Sequence, residues 1–214
     1  MKHSVIYVAT ERPKTVYAVI IALVVITAAL IGRIQIDTDP ENMLPAGQSD
    51  RVFHNEVEKR FTYHDAIVVG VINETHPNGI YNVESLHALH RLSNDILALD
   101  GVIAPDLASL AAVDNIEQEG VGTIRFEWLM REAPITQEQA SDIRDKVNRL
   151  PLLKDSLVSG DGRAATIYVP IASKDLSYPL SREIHALISE LDTGDDYHIT
   201  GLPVAEDTFG HDMF

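Results

Sequence analysis

TVYAVIIALVVITAALIG, residues 15–32, is a run of 18 residues without charge or proline. A helix rises ~1.5 Å per residue, so the run spans ~27 Å, close to the ~30 Å hydrocarbon core of a bilayer. A single segment inside lipid must be helical, because its backbone has no water to bond. Its valines and isoleucines are poor helix formers in water, and the bilayer overrides that preference. Tyr17 lies near one end, where its ring suits the headgroup layer, and Arg33 follows the other end, where it can snorkel outward. Both are interface-anchor candidates. Two other readings compete. A cleaved signal peptide would use the small residues Thr27, Ala28 and Ala29, but the apolar run exceeds the ~7–15 residues of a signal core. A buried core helix of a soluble protein would show an amphipathic break.

Charge sets the orientation. Lys2, Arg12 and Lys14 precede the span against one acid, Glu11; after Arg33 come Asp37, Asp39 and Glu41. The Lys/Arg excess on the short N-terminal side predicts that this side is cytoplasmic. The expected organisation is a cytoplasmic tail at 1–14, a transmembrane helix at 15–33 and a connector at 34–64. An extracytoplasmic α/β domain follows at 65–201, and 202–214 begins a further helix, leading toward a second span that is missing here.

Of 17 basic and 32 acidic residues, four and one lie at or before Arg33, which leaves 13 and 31 and a balance of −18. Such a domain repels phosphates, so nucleic acid is not an expected partner. It also stands off from anionic headgroups. The chain has no cysteine, which rules out disulfides and thiolate metal sites.

The connector opens with Ile34 and Ile36 and then turns at Asp39-Pro40 and Leu44-Pro45. Pro40 and side-chain bonds from Asp37 and Asp39 form a structural span-to-domain turn; a functional reading makes the same residues part of a gate at the membrane surface. Ser49 or Asp50 caps a helix at about 51–61, with Val52, Phe53, Val57 and Phe61 at helical spacing. AIVVGVI (66–72) reads as a buried strand. Asn78-Gly79 is a turn. Asn82 caps a helix with Leu86, Leu89, Leu92, Ile96 and Leu99 as one stripe. Asp100-Gly101 ends it, and a strand broken by Pro105 runs from Val102 to Leu110.

Asp114 to Gly122 is acidic and glycine-punctuated, and reads as a loop. Thr123 to Met130 fits a short strand or one to two helical turns. Thr136-x-x-Gln139 matches a capping box for a helix with Ala140, Ile143, Val147 and Leu150 inward, stopped by Pro151. Gly160-Asp161-Gly162 joins strands at 157–159 and 164–171 as a hairpin turn. Ser181 opens a helix with Leu180, Ile184, Leu187, Ile188 and Leu191 inward, Thr193-Gly194 ends it, and Tyr197 to Thr200 is a last strand. The expected fold is α+β: one N-terminal transmembrane helix, then a ferredoxin-like (βαβ-repeat) porter-type domain.

Chemical motifs are sparse. His87 and His90 sit three apart on one helix without a third ligand, and read as a solvated face. Asp114, Glu117 and Glu119 read as solvated loop charge rather than a cation site. Asn73-Glu74-Thr75 matches a glycosylation acceptor. Gly120 and Gly122 do not lie between a strand and a capped helix, so they are no nucleotide loop. No serine, histidine and acid stand around a nucleophile elbow. The expectation is a protein that is not an enzyme, with no catalytic residue, cofactor or metal.

Five segments together resemble one family. They are IDTDPENMLP (36–45); Phe61 and Asp65 ahead of AIVVGVI; Gly101-Val102 leading to Ser109-Leu110; LVSGDGRAATIYVPI (157–171); and YHITGLPV (197–204). In order and spacing they resemble the resistance-nodulation-division (RND) superfamily, and within it the MMPL-type predicted exporters that include hopanoid-associated lipid exporters. The resemblance implies a proton-driven exporter of lipids or other hydrophobic compounds in the inner (cytoplasmic) membrane. It implies spans in two repeats, each with an extracytoplasmic domain after its first span. This chain corresponds to the first span and first outer domain, with membrane lipids, the remaining spans and a second outer domain as partners. The family's proton-relay carboxylates lie in later spans, so none is assigned here. The alternative is a complete single-pass protein whose acidic outer domain is a sensor or ligand-binding module.

Overall fold

The computed structural model describes residues 12–32, 43–61, 64–118 and 120–213. Arg33, Asp37, Asp39, Pro40 and Glu119 lie outside the described residues. The chain divides into two compact units, Met1–Asp37 and Thr38–Phe214.

The first unit contains α1 (Pro13–Ile31), a helix long and apolar enough to cross a membrane. It begins two residues ahead of the apolar run, because Pro13 at the first turn needs no backbone donor. None of its residues is buried. Thr27 donates its hydroxyl to the Leu23 carbonyl at 2.6 Å, so its polar group is satisfied within the helix. Tyr17 is exposed near the start.

The second unit is α+β. Its central sheet has the order β4-β1-β5, formed by β1 (Ala66–Ile72), β4 (Ala164–Pro170) and β5 (Asp196–Thr200), with β1 antiparallel to both neighbours. β4 and β5 therefore run parallel on either side of β1, joined by α5 (Ser177–Ser189). A second crossover interlocks with the first. From β1 the chain passes through α3 (Val83–Leu97) to a line that bridges β4 antiparallel at Val102↔Ile171 and Ala108↔Tyr168.

That line is not the strand expected from 102 to 110. A short 3-10 turn, Ala104–Asp106, separates the two bridges. Pro105 has no N–H to give a ladder, so continuous pairing fails there. The expected strand at 157–159 is likewise reduced to bridges, Lys154↔Val158 and Val158↔Ala165. The Asp114–Gly122 loop is overturned at Asp114–Gln118, while 120–122 is a turn. β2 (Asp114–Gln118) and β3 (Ile124–Trp128) pair antiparallel as a separate two-stranded sheet.

Helix starts shift as well. α2 (Ser49–Phe61) already contains Ser49 and Asp50, so neither stands before it as the cap. α5 starts at Ser177 rather than Ser181, since Pro179 is tolerated in a first turn whose N–H groups lack helical acceptors, and it ends at Ser189 rather than near Thr193. The Asn82 cap forms as read, its side chain accepting from the Ser85 N–H. The Thr136 side chain accepts from the Gln139 N–H ahead of α4 (Gln137–Arg149), but the capping box is shifted on its return side, where Gln139 Oε1 accepts from the Ile135 N–H.

β1 positions the core. Ile67, Val69 and Val71 are fully buried, and alternate with half-buried residues. Leu86, Leu89, Leu92 and Ile96 from α3, Ile143 and Val147 from α4, and Leu180 and Ile184 from α5 complete two apolar clusters. Each such side chain contributes ~1.5–3 kcal/mol of transfer free energy. α6 (Leu202–Met213) packs against α5 and β1. α2 has no buried residue; its Val52, Phe53 and Phe61 are exposed.

Candidate functional site

Strand pairing places Ile116 opposite Phe126, and Gln118 opposite Ile124, so these side chains share one face of the hairpin with Asp114 and Trp128. That face is the outer one: Ile116, Ile124, Phe126 and Trp128 are 52%, 60%, 67% and 53% exposed. The other face is polar and turns inward. Asn115 is buried and bonds Glu127 across the strands. Glu127 pairs with Lys146 at 3.6 Å, and Glu117 pairs with Arg149 at 3.5 Å, both on α4. The hairpin is docked by its charges and shows its apolar side to solvent.

Trp128 also lines a groove of about 390 Å³, within the ~300–1,000 Å³ of small-molecule sites. Its floor is apolar, with Leu97 from α3, Pro105 from the 3-10 turn, Leu107 just after it, and Ala111 and Ala112. Three polar residues stand around it: His90, Asn94 and Arg131. The His90 Nε2 lies 3.2 Å from the Arg131 carbonyl, and the Asn94 amide nitrogen lies 3.3 Å from His90 Nδ1. Both ring nitrogens of His90 are thus engaged. The bond to Arg131 ties α3 to the segment after β3, where the strand alternation breaks and Leu129 and Met130 are buried. The Arg131 guanidinium is exposed and has no ion-pair or hydrogen-bond partner among the described residues.

A second groove, about 380 Å³, holds His87, Glu84, Arg91 and Leu191. Its arginine is committed, with Asp95 at 3.6 Å and Glu190 at 3.4 Å. His87 and His90 therefore line different grooves. Asp114 and Glu117 fall on opposite faces of β2. Among the described residues no three His, Asp or Glu side chains form a group that would hold a metal ion.

The Asn73 acceptor motif is closed by packing. Asn73 is buried, and its amide nitrogen donates to Asp195 Oδ1 at 2.7 Å. The Ser85 hydroxyl donates to the same oxygen at 2.6 Å, and Asn82 donates to the Ser85 hydroxyl at 2.8 Å. This buried cluster joins the end of β1, the start of α3 and the entry to β5. The Tyr197 phenol beside it is pushed up by burial; its bond to Thr193 opposes the shift and the Asp195 carboxylate adds to it.

The groove and the outward apolar face went unread in the sequence. The available signal was the period-two spacing of Ile124, Phe126 and Trp128. In comparisons with known proteins, no family model and no curated protein matches this chain.

Proposed function

We propose that this chain is the N-terminal part of a proton-motive-force-driven exporter of lipids or other hydrophobic compounds, of the MMPL type within the RND superfamily. In this reading α1 crosses the inner membrane with its N-terminus in the cytoplasm. The second unit is an extracytoplasmic, ferredoxin-like porter domain that forms part of the substrate path and performs no catalysis. The interlocked crossovers around β1 support the ferredoxin-like architecture. The observation that most favours the transport reading is the outward apolar face of the hairpin, running into an apolar groove, in a domain that is otherwise strongly acidic. A soluble domain gains nothing by exposing Ile116, Ile124, Phe126 and Trp128 unless something apolar meets them.

α1 cannot couple protons by itself. From Thr15 to Ile31 it has no carboxylate, histidine, lysine or arginine, and a relay through the low-dielectric layer needs such groups. The coupling residues and a closed path then come from other spans. The test uses the product of the complete reading frame in proteoliposomes with a fluorescent lipid. Lipid transfer that collapses when the proton gradient is dissipated supports the proposal; absence of transfer, or transfer indifferent to the gradient, overturns it. Residues 1–214 reconstituted alone are expected to move no lipid under the same gradient.

A further inference from the structure

The groove beside Trp128 has an arginine and no acid in its lining, in a domain whose net charge is strongly negative. Beyond Arg33 acids outnumber bases by 18, and cations along the neighbouring helices are paired: Lys146 with Glu127, Arg149 with Glu117, Arg91 with Glu190. Arg131 is not paired among the described residues, although Glu132 follows it in the chain. An unpaired guanidinium beside an apolar floor presents five N–H donors suited to a carboxylate or phosphate. From that floor, Trp128 leads onto Phe126 and Ile116 along the open hairpin face. The site thus offers an apolar trough with a cationic residue in its lining.

We infer that this groove binds an anionic single-chain amphiphile of the fatty-acid type. Its carboxylate meets Arg131, and its chain lies along Leu97, Leu107 and Trp128 toward Phe126. The inference rests on the outer domain being the substrate-handling part of the protein. Three features choose this occupant over a second copy of the chain or an anionic bilayer surface. The acidic domain repels both of those extended surfaces, the groove has the volume of a small-molecule site, and its lining holds a cation and no acid, so a single small anion meets a locally favourable charge.

Trp128 is the only tryptophan, so all tryptophan emission comes from a residue that lines this groove and the adjoining one at Ile135 and Gln139. The full 214-residue chain in phosphatidylcholine vesicles, at a pH that keeps fatty acids ionised, is titrated with 11-bromododecanoate. Bromine quenches only a tryptophan close to it. The expected result is saturable quenching, relieved by excess dodecanoate. Arg131→Gln should raise the half-quenching concentration about tenfold, as expected for loss of one charge-assisted contact, and Arg131→Lys should recover part of it. Arg131 is exposed, so far-UV circular dichroism should be the same for all three proteins. A bromoalkyl trimethylammonium probe of equal length should quench weakly. Equal quenching by both probes, or no effect of Arg131→Gln, overturns the inference. So does Trp128 emission that shifts to the blue with protein concentration and resists quenching, which would put a second copy in the groove. Transport and binding come apart cleanly. Quenching without gradient-driven lipid transfer by the complete product removes the exporter reading and leaves this site, while transfer without quenching does the reverse.

Discussion

The central sheet and the β2–β3 hairpin use the same two-residue alternation in opposite senses. In β1 the apolar positions Ile67, Val69 and Val71 face inward and are fully buried. In the hairpin the polar positions Asn115, Glu117 and Glu127 face inward, onto Lys146 and Arg149, and the aromatic ones face out. Burial of the strands' own apolar side chains is not what orients the hairpin. Its hold on the domain is a set of ion pairs and the anchoring of Leu129 and Met130 just beyond it. The sheet therefore serves stability, and the hairpin presents a surface.

The sharpest test of this contrast puts one charge into each region. Val69→Asp buries an unpaired carboxylate beside Ile167 and Ile96, and should cost about 3–5 kcal/mol. Phe126→Asp places the same group in water, and should leave the melting temperature within a degree or two. Thermal unfolding followed by circular dichroism reads both. If Phe126→Asp destabilises as much as Val69→Asp, the outer face is covered in the folded molecule.

Glycines draw the same line. Gly79 has φ of +57°, and a Cβ there would lie 2.1 Å from the Gly162 carbonyl oxygen. The two turns that meet at this point are also joined by the Ile80 N–H to that oxygen at 3.0 Å. Gly79→Ala must push them apart as well as strain its backbone, and should cost more than about 2 kcal/mol. Gly122, at the hairpin turn, has φ of +84° and nothing within 4 Å of an added Cβ. Gly122→Ala should show only the backbone term of about 1–2 kcal/mol. Equal losses in urea unfolding would mean that the turns at 79 and 162 do not interlock.

The core side also has a pH signature. Burial pushes the Tyr81 phenol up to about 12, against a small opposing pull from Arg144. The unfolded chain loses this proton near the ordinary value of about 10, before the folded one does. Stability is therefore intact below about pH 10 and falls as pH rises toward 12, by at most about 2–3 kcal/mol. Tyr81→Phe should flatten that decline in urea unfolding between pH 9 and 11.5. Identical slopes for the two proteins would show that Tyr81 is more solvated than its burial implies.

Polar burial on the sheet side gives a smaller effect. Asp195→Ala leaves Asn73 and Ser85 without their shared acceptor, which should cost about 1–3 kcal/mol. Asp195→Asn keeps an acceptor in place and should cost less. If the two substitutions cost the same, the Asp195 charge and not its acceptor geometry holds the cluster.

What could be read in advance follows the same division. β1 and the stripe from Leu86 to Ile96 were legible because each combines a local signal with burial of the matching face, whereas the α1 run and the caps at Asn82 and Thr136 were legible from local sequence alone. The strand at 102–110 was half legible: Pro105 was visible as a breaker, but not that the chain would return to β4 at Ala108 after a 3-10 turn. The hairpin's first strand was misread as loop because DNIEQ has one apolar residue, and its strand character comes from a partner ten residues away; for its second strand, of the two forms expected at 123–130, the short strand is the one found. The groove was illegible for a related reason. Its floor is assembled from α3, the 3-10 turn and Ala111–Ala112, and Arg131 stands out only once the cations of α3 and α4 are seen to be paired.

The smallest effect bears most directly on how the hairpin is held. Lys146 lies 3.6 Å from Glu127 and 3.1 Å from Asp142, and Arg149 lies 3.5 Å from Glu117. These pairs are partly exposed, so each is worth about 0–1 kcal/mol and is screened by salt. An apolar contact would respond in the opposite way, since it does not weaken as ionic strength rises. Hydrogen exchange separates the two cases. Raising ionic strength from about 0.05 M to about 1 M shortens the Debye length to ~3 Å, and should speed amide exchange across 114–128 a few-fold. Exchange across 66–72 should not change. Lys146→Met should produce the same acceleration at low salt and remove most of the salt response. If exchange in the hairpin slows or stays constant with salt, the burial of Leu129 and Met130 holds it without help from charge. The inward polar face would then be a consequence of presenting the apolar one, and not its cause.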